Sequence, residues 1–138
     1  MKTEIEEQKK AANFIRTLEM ELKDLRKAQR AAGWSQRNAV YAHVNADYTL
    51  QEKVITARYK WEQISFEGNV LQGLLDLLLP HRDIYGLYDL LGMIKEFETI
   101  LTLAEEKDEF EIAIIISKYQ IRFRKALEYH EHVPKRLF

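Results

Sequence analysis

The chain has 138 residues, 46% hydrophobic and 31% charged, with a formal net charge of −1, five glycines, two prolines and no cysteine. That length allows one domain and little more, and the apolar share excludes wholesale disorder. Without cysteine there are no disulfides, thiolate nucleophiles or cysteine-ligated metal sites. The near-neutral balance argues against a dedicated polyanion binder, although local clusters can still bind one.

The opening residues Met1-Lys2-Thr3-Glu4-Ile5-Glu6-Glu7 carry no apolar stretch of signal-peptide kind. The most apolar window, 74–79, is interrupted by Asp76 and preceded by Gln72, well short of the roughly 20 apolar residues that span a bilayer. The expectation is a soluble, cytoplasmic protein with no membrane partner.

Residues 4–32 form the first expected helix. Ala11, Ile15, Leu18, Leu22, Leu25 and Ala32 recur at three- and four-residue steps, and Phe14 and Ala28 widen the stripe. At about 1.5 Å per residue this is a rod of roughly 42 Å. Gly33 follows the last periodic residue, where a left-handed glycine would stop a helix, and Ser35 would cap a second segment from Gln36 to about Asn45. The stretch 45–49 is the weakest helical region before Pro80, and Thr49 with Glu52 has capping-box spacing for a fresh start.

The cleanest pattern follows. Leu50, Val54, Ala57, Trp61, Ile64, Gly68, Leu71, Leu75 and Leu78 step 4-3-4-3, the repeat of a narrow seam between helices crossing at a shallow angle. Because Trp61 is large and Gly68 has no side chain, the packing partner must recede and bulge in turn. Pro80 ends the run. Asp83 is expected to cap a third helix, 84–106, with Ile84, Leu87, Leu91, Ile94, Phe97, Leu101 and Ala104 buried. Lys107 and Asp108 make a tight connection, with Asp108 and Glu111 in capping-box spacing. A fourth helix, 109–131, buries Ile112, Ile116, Tyr119, Phe123 and Leu127. Its run of isoleucines at 112–116 has strand propensity but no second strand to pair with. Pro134 is expected to stop it. The expected fold is all-α: an antiparallel bundle of four to five helices, two of them long with heptad-like seams, in a single domain over 1–138 with a frayed tail at 133–138.

Few residues point to catalysis. A di-iron bundle needs Glu-x-x-His on facing helices, but Val40, Leu78, Leu127 and Tyr129 stand three before the four histidines. No metal, cofactor or catalytic residue is expected. His81-Arg82-Asp83 spells a protein-kinase catalytic loop without the glycine-rich loop or Asp-Phe-Gly that kinases need. Gly33-Trp34-Ser35-Gln36-Arg37 lacks the second glycine of a nucleophile elbow. Glu4-x-x-Glu7 and Glu21-x-x-Asp24 resemble the magnesium-holding pairs of all-α nucleotide pyrophosphohydrolases. That likeness implies a magnesium-dependent hydrolase as a minor alternative. In that family the pairs face each other across two helices, whereas here one helix carries both. Residues 25–36, LRKAQRAAGWSQ, resemble the opening of phage-repressor-type helix-turn-helix domains. The turn that should follow is missing, since 42–45 has no glycine. The last four residues match a basic-x-Leu-Phe docking peptide of cyclin partners, a pattern too short to carry that function.

Two basic clusters remain: Lys23, Arg26, Lys27, Arg30 and Arg37 late in the first helix, and Lys118, Arg122 and Lys125, with Arg124 alongside, in the fourth. Against them, 96–111 holds seven acids and one lysine. Macrodipole matching explains most of this. A bipolar surface would also self-associate, or lay its positive strip along a phosphate backbone. Tyr41, Tyr48, Tyr59, Tyr85 and Tyr129 suit base stacking or a protein interface. The expected function is a non-enzymatic helical interaction module, an adaptor, regulator or small assembly subunit. It would form a homodimer and bind another protein, with Leu50, Val54, Trp61, Ile64, Leu71, Leu75 and Leu78 as its seam. The second choice is a nucleic-acid-binding protein using Lys23, Arg26, Lys27, Arg30, Lys118, Arg122 and Lys125.

Overall fold

The computed structural model describes the backbone of residues 2–136 and the side chains of residues 4–127. Four helices follow one another: α1 (Lys2–Asn45), α2 (Gln51–Leu78), α3 (Leu90–Glu106) and α4 (Phe110–Arg136), with a 3-10 turn at Leu79–His81 after α2. Among the described residues there is no strand, only an isolated antiparallel bridge between Arg82 and Tyr88. The fold is an all-α helical bundle, as the periodicity predicts. It divides into two compact units: Met20–Leu71, and Met1–Glu19 together with Gln72–Phe138.

Unit Met20–Leu71 is an antiparallel hairpin of α1 and α2. Its register is fixed by Arg26 beside Gly68 and Asn69, by Gly33 beside Trp61 and by His43 beside Leu50. The expected stop at Gly33 and restart at Ser35 are not found, because α1 runs unbroken through both. Gly33 instead faces the Trp61 indole. A side chain there would meet the Trp61 indole at 3.5 Å, and one at Gly68 would meet the Arg26 guanidinium at 3.0 Å. Each large side chain therefore lies over a glycine of the facing helix, the size alternation that Trp61 and Gly68 demanded.

The hairpin turn falls where helical propensity is weakest. Asp47 and Tyr48 adopt left-handed φ of 55° and 63°, and the Tyr48 N–H donates to the His43 carbonyl at 2.8 Å, satisfying one of the carbonyls a helix end leaves open. Thr49 donates its hydroxyl back to the Ala46 carbonyl at 2.7 Å, so the expected capping box with Glu52 is replaced. The Leu50 carbonyl accepts the first bonds of α2, and the Leu50 N–H donates to His43 Nδ1 at 3.0 Å.

The other unit gathers the start of α1, the end of α2, α3 and α4 around an aromatic core. Phe123 meets Phe14 edge-on at 5.0 Å and stacks on Phe97 at 5.6 Å, both within the favourable range for ring pairs. Ile15, Leu18, Leu74, Leu78, Met93 and Ile116 are fully buried around them.

Here the third element is shorter than expected. Asp83 does not cap it. Its Oδ1 accepts from the N–H groups of Tyr85 and Leu87 at 2.8 and 2.9 Å, closing a tight loop in which Gly86 takes φ +81°. Asp89 is the true cap, accepting from Gly92 N–H at 3.1 Å. Ile84, Leu87 and Leu91 are therefore exposed rather than buried, Ile84 to 90%, and Met93 takes the inward position. The loop is held from α1 by Gln8, whose amide exchanges two bonds with the Tyr88 backbone, at 2.7 and 2.6 Å.

Asp108 likewise caps nothing forward. With φ 56° it ends α3 as a left-handed residue, and Glu109 accepts the first bond of α4 from Ala113. The isoleucine run is helical. Helix α4 continues past Pro134 to Arg136, so the expected stop there is not made. Leu137 and Phe138, the end of the expected frayed tail and of the cyclin-type tetrapeptide, lie outside the described residues.

Candidate interaction surfaces

The nine-residue seam of α2 has two characters. Leu50, Val54, Ala57, Trp61 and Ile64 are half-buried in the hairpin, whereas Leu71, Leu75 and Leu78 are 0–2% exposed. Where two helices pair, each seam side chain is covered from one side. Where more helices converge, it is covered all round. Leu71, Leu75 and Leu78 are thus core, and the upper seam keeps surface to offer.

That surface opens into a groove of about 580 Å³ between the helices of the hairpin. Ala28, Ala31, Ala32 and Ser35 floor it from α1, with Ala57 and Ile64 from α2 and Lys53 and Lys60 on its border. Elsewhere on the hairpin α1 exposes Trp34 and Tyr41 a seven-residue step apart, and the turn exposes Tyr48, all more than 60% accessible. The Arg37 guanidinium sits 5.6 Å from the Trp34 ring centroid. Tryptophan, tyrosine and arginine are the side chains that dominate binding energy at protein interfaces. Trp34 was legible as part of this set only through its seven-residue step to Tyr41.

The basic residues do not all face outward. Lys23, Lys27 and Arg30 are exposed on the hairpin, but Arg26 is engaged within it. Its Nη1 donates to Gln29 Oε1 at 2.8 Å and to Asn69 Oδ1 at 3.2 Å, pinning α1 to α2 above Gly68. In the other unit Lys118 and Lys125 are exposed, and Arg122 is half-buried with its guanidinium 5.3 Å from the Tyr119 ring. The two strips belong to different units.

Helix α4 carries an outward stripe that the sequence reading missed. Phe110, Ile114 and Ile121 are 61%, 69% and 52% exposed, and Ser117 sits between them. Phe110, Ile114, Ser117 and Ile121 step 4-3-4, the seam spacing again. The signal was present, but the inward stripe of Ile116, Tyr119 and Phe123 claims the same helix, and periodicity ranks only one face.

The residues of catalytic appearance are taken up structurally. His81 Nε2 lies 3.3 Å from Glu96 Oε1, Arg82 reaches over the Tyr88 ring at 5.9 Å, and Asp83 closes its loop. Glu4-x-x-Glu7 and Glu21-x-x-Asp24 lie on one unbroken helix but in different units. Among the described residues no group of three or more His, Asp or Glu is placed to hold a metal ion, and no helix is long and apolar enough to cross a membrane. The chain matches no protein-family model, no curated protein and no solved structure.

Proposed function

We propose that the protein is a non-enzymatic helical interaction module of the cytoplasm, an adaptor, regulator or small assembly subunit, that self-associates through its long amphipathic helices and binds another protein. The observation that carries this reading is the recurrence of large apolar side chains at seam steps on exposed helix faces, Trp34 and Tyr41 on α1 and Phe110, Ile114 and Ile121 on α4. Scattered exposed apolar residues are ordinary on any surface, whereas contiguous ones at interface spacing mark binding faces. Trp34 with Arg37 and Tyr41 supplies rigid anchors for a partner, and the half-open upper seam supplies a shallow groove beside them.

The second reading, a nucleic-acid-binding protein, draws on the exposed Lys23, Lys27 and Arg30, which step 4-3 along α1. Size-exclusion chromatography with light scattering and 260/280 nm absorbance separates the two. The interaction module gives a species heavier than a monomer, free of excess 260 nm absorbance and still present at high salt. A peak carrying nucleic acid that high salt strips away selects the second reading, because phosphate contacts are lost steeply with salt. A bare monomer at every concentration overturns self-association.

A further inference from the structure

We infer that the outward face of α4 is a homodimer interface, on which α4 of a second copy of this chain lies antiparallel. The inference rests on the self-associating reading above and assigns the face that performs it. Three features of the face converge.

The first is its packing pattern. Phe110, Ile114, Ser117 and Ile121 form a 4-3-4 stripe of which the three large members are more than half exposed. They line an open groove of about 970 Å³ together with Glu105, Lys118 and Lys125. A helix that already buries one apolar face and presents a second at seam spacing is suited to a helical partner.

Charge is the second feature. Glu105, Glu106 and Glu109 stand at the end of the stripe near Phe110, whereas Lys118, Arg122 and Lys125 stand at the end near Ile121. A face of one sign requires a partner of the other. A face carrying both signs at opposite ends complements itself when turned end for end, as a twofold axis does. Parallel pairing would set like charges together, and the helix dipoles also favour the antiparallel arrangement.

Register is the third. Laying Phe110 against Ile121 of the partner subunit brings Ile114 against Ser117 of the partner subunit. Turned end for end in this register, the Glu105 end of the groove, on α3, approaches Lys118 of the partner subunit and Lys125 of the partner subunit. One arrangement therefore satisfies the apolar stripe and sets opposite charges together, each twice by symmetry. The small Ser117 accepts the β-branched Ile114 near the twofold axis.

The test is sedimentation equilibrium of the full chain over a wide concentration range. The wild type is expected to dimerise. Ile114→Glu is expected to raise the dissociation constant at least about tenfold, since it buries two carboxylates beside the axis. Ile114 is exposed in the single chain, so unchanged helicity by circular dichroism shows that the variant folds. Lys125→Glu alone is expected to weaken the dimer, and Lys125→Glu with Glu105→Lys to restore it, a recovery that only a copy of the same face can produce. A dimer that survives Ile114→Glu unchanged overturns the α4 face while leaving self-association standing. A monomer at every concentration overturns both, and failure of the double variant to recover overturns the antiparallel register.

Discussion

Glycine shows how one residue type takes opposite roles in a helix. Gly73, in α2, has nothing within 4 Å of where a Cβ would stand, whereas a Cβ on Gly92 would collide with the Asp89 carboxylate and the His81 ring. Gly73→Ala is therefore expected to stabilise the protein by up to about 1 kcal/mol through helix propensity alone. Gly92→Ala is expected to destabilise it by about 1 kcal/mol, because displacing Asp89 removes the cap of α3. Urea denaturation of the two variants should move the midpoints in opposite directions. Neither outcome was legible beforehand. Both glycines sit within apolar stretches, and only the neighbours that folding brings to them set the sign.

The helices show the same limit over longer spans. Gly33 follows the last residue of a regular apolar run and so reads locally as a stop. Yet α1 passes through it at a propensity loss of about 1 kcal/mol, with the indole of Trp61 packed against it at ordinary contact distance. The α2 seam, uniform in sequence, is core at one end and half-covered at the other. A polar substitution in its lower part is expected to cost far more: Leu71→Asn about 3 kcal/mol or more, Val54→Asn about 1 kcal/mol. Chemical denaturation of both variants checks this, and equal losses would show that the upper seam is as deeply packed as the lower. By contrast, the turns at 45–49 and 107–108 were correctly placed, since a break in helix formation is local. The caps beside them were misassigned. Asp83 accepts and Thr49 donates within the loop rather than starting the next helix, and Asp108 takes a left-handed φ that ends α3; all these uses share one short-range sequence signature.

At the scale of the molecule, the two units differ in how much they bury. Of the described core residues, only Ala32 and Leu71 belong to Met20–Leu71, whereas the Phe14, Phe97 and Phe123 cluster with its aliphatic surround lies in the other unit. Opening free energy follows buried apolar contact. Native-state hydrogen exchange is thus expected to show weaker protection across the hairpin than in α3 and the first turns of α4, with the gap widening in mild denaturant. Uniform protection would mean that the whole chain opens as one cooperative unit.

The sequence by itself determined the helical class, the turns at 45–49 and 107–108 and the inward apolar stripes of α2 and α4. These follow from the period of the α-helix and from local propensity, which a chain carries wherever it packs. Tertiary structure alone decided how deep each stripe lies, which glycine admits a neighbour, that Arg26 is spent inside the hairpin and that α4 keeps a second face outward. Burial depends on how many helices converge at a position. That number is set by residues distant in sequence, to which periodicity along one helix is blind.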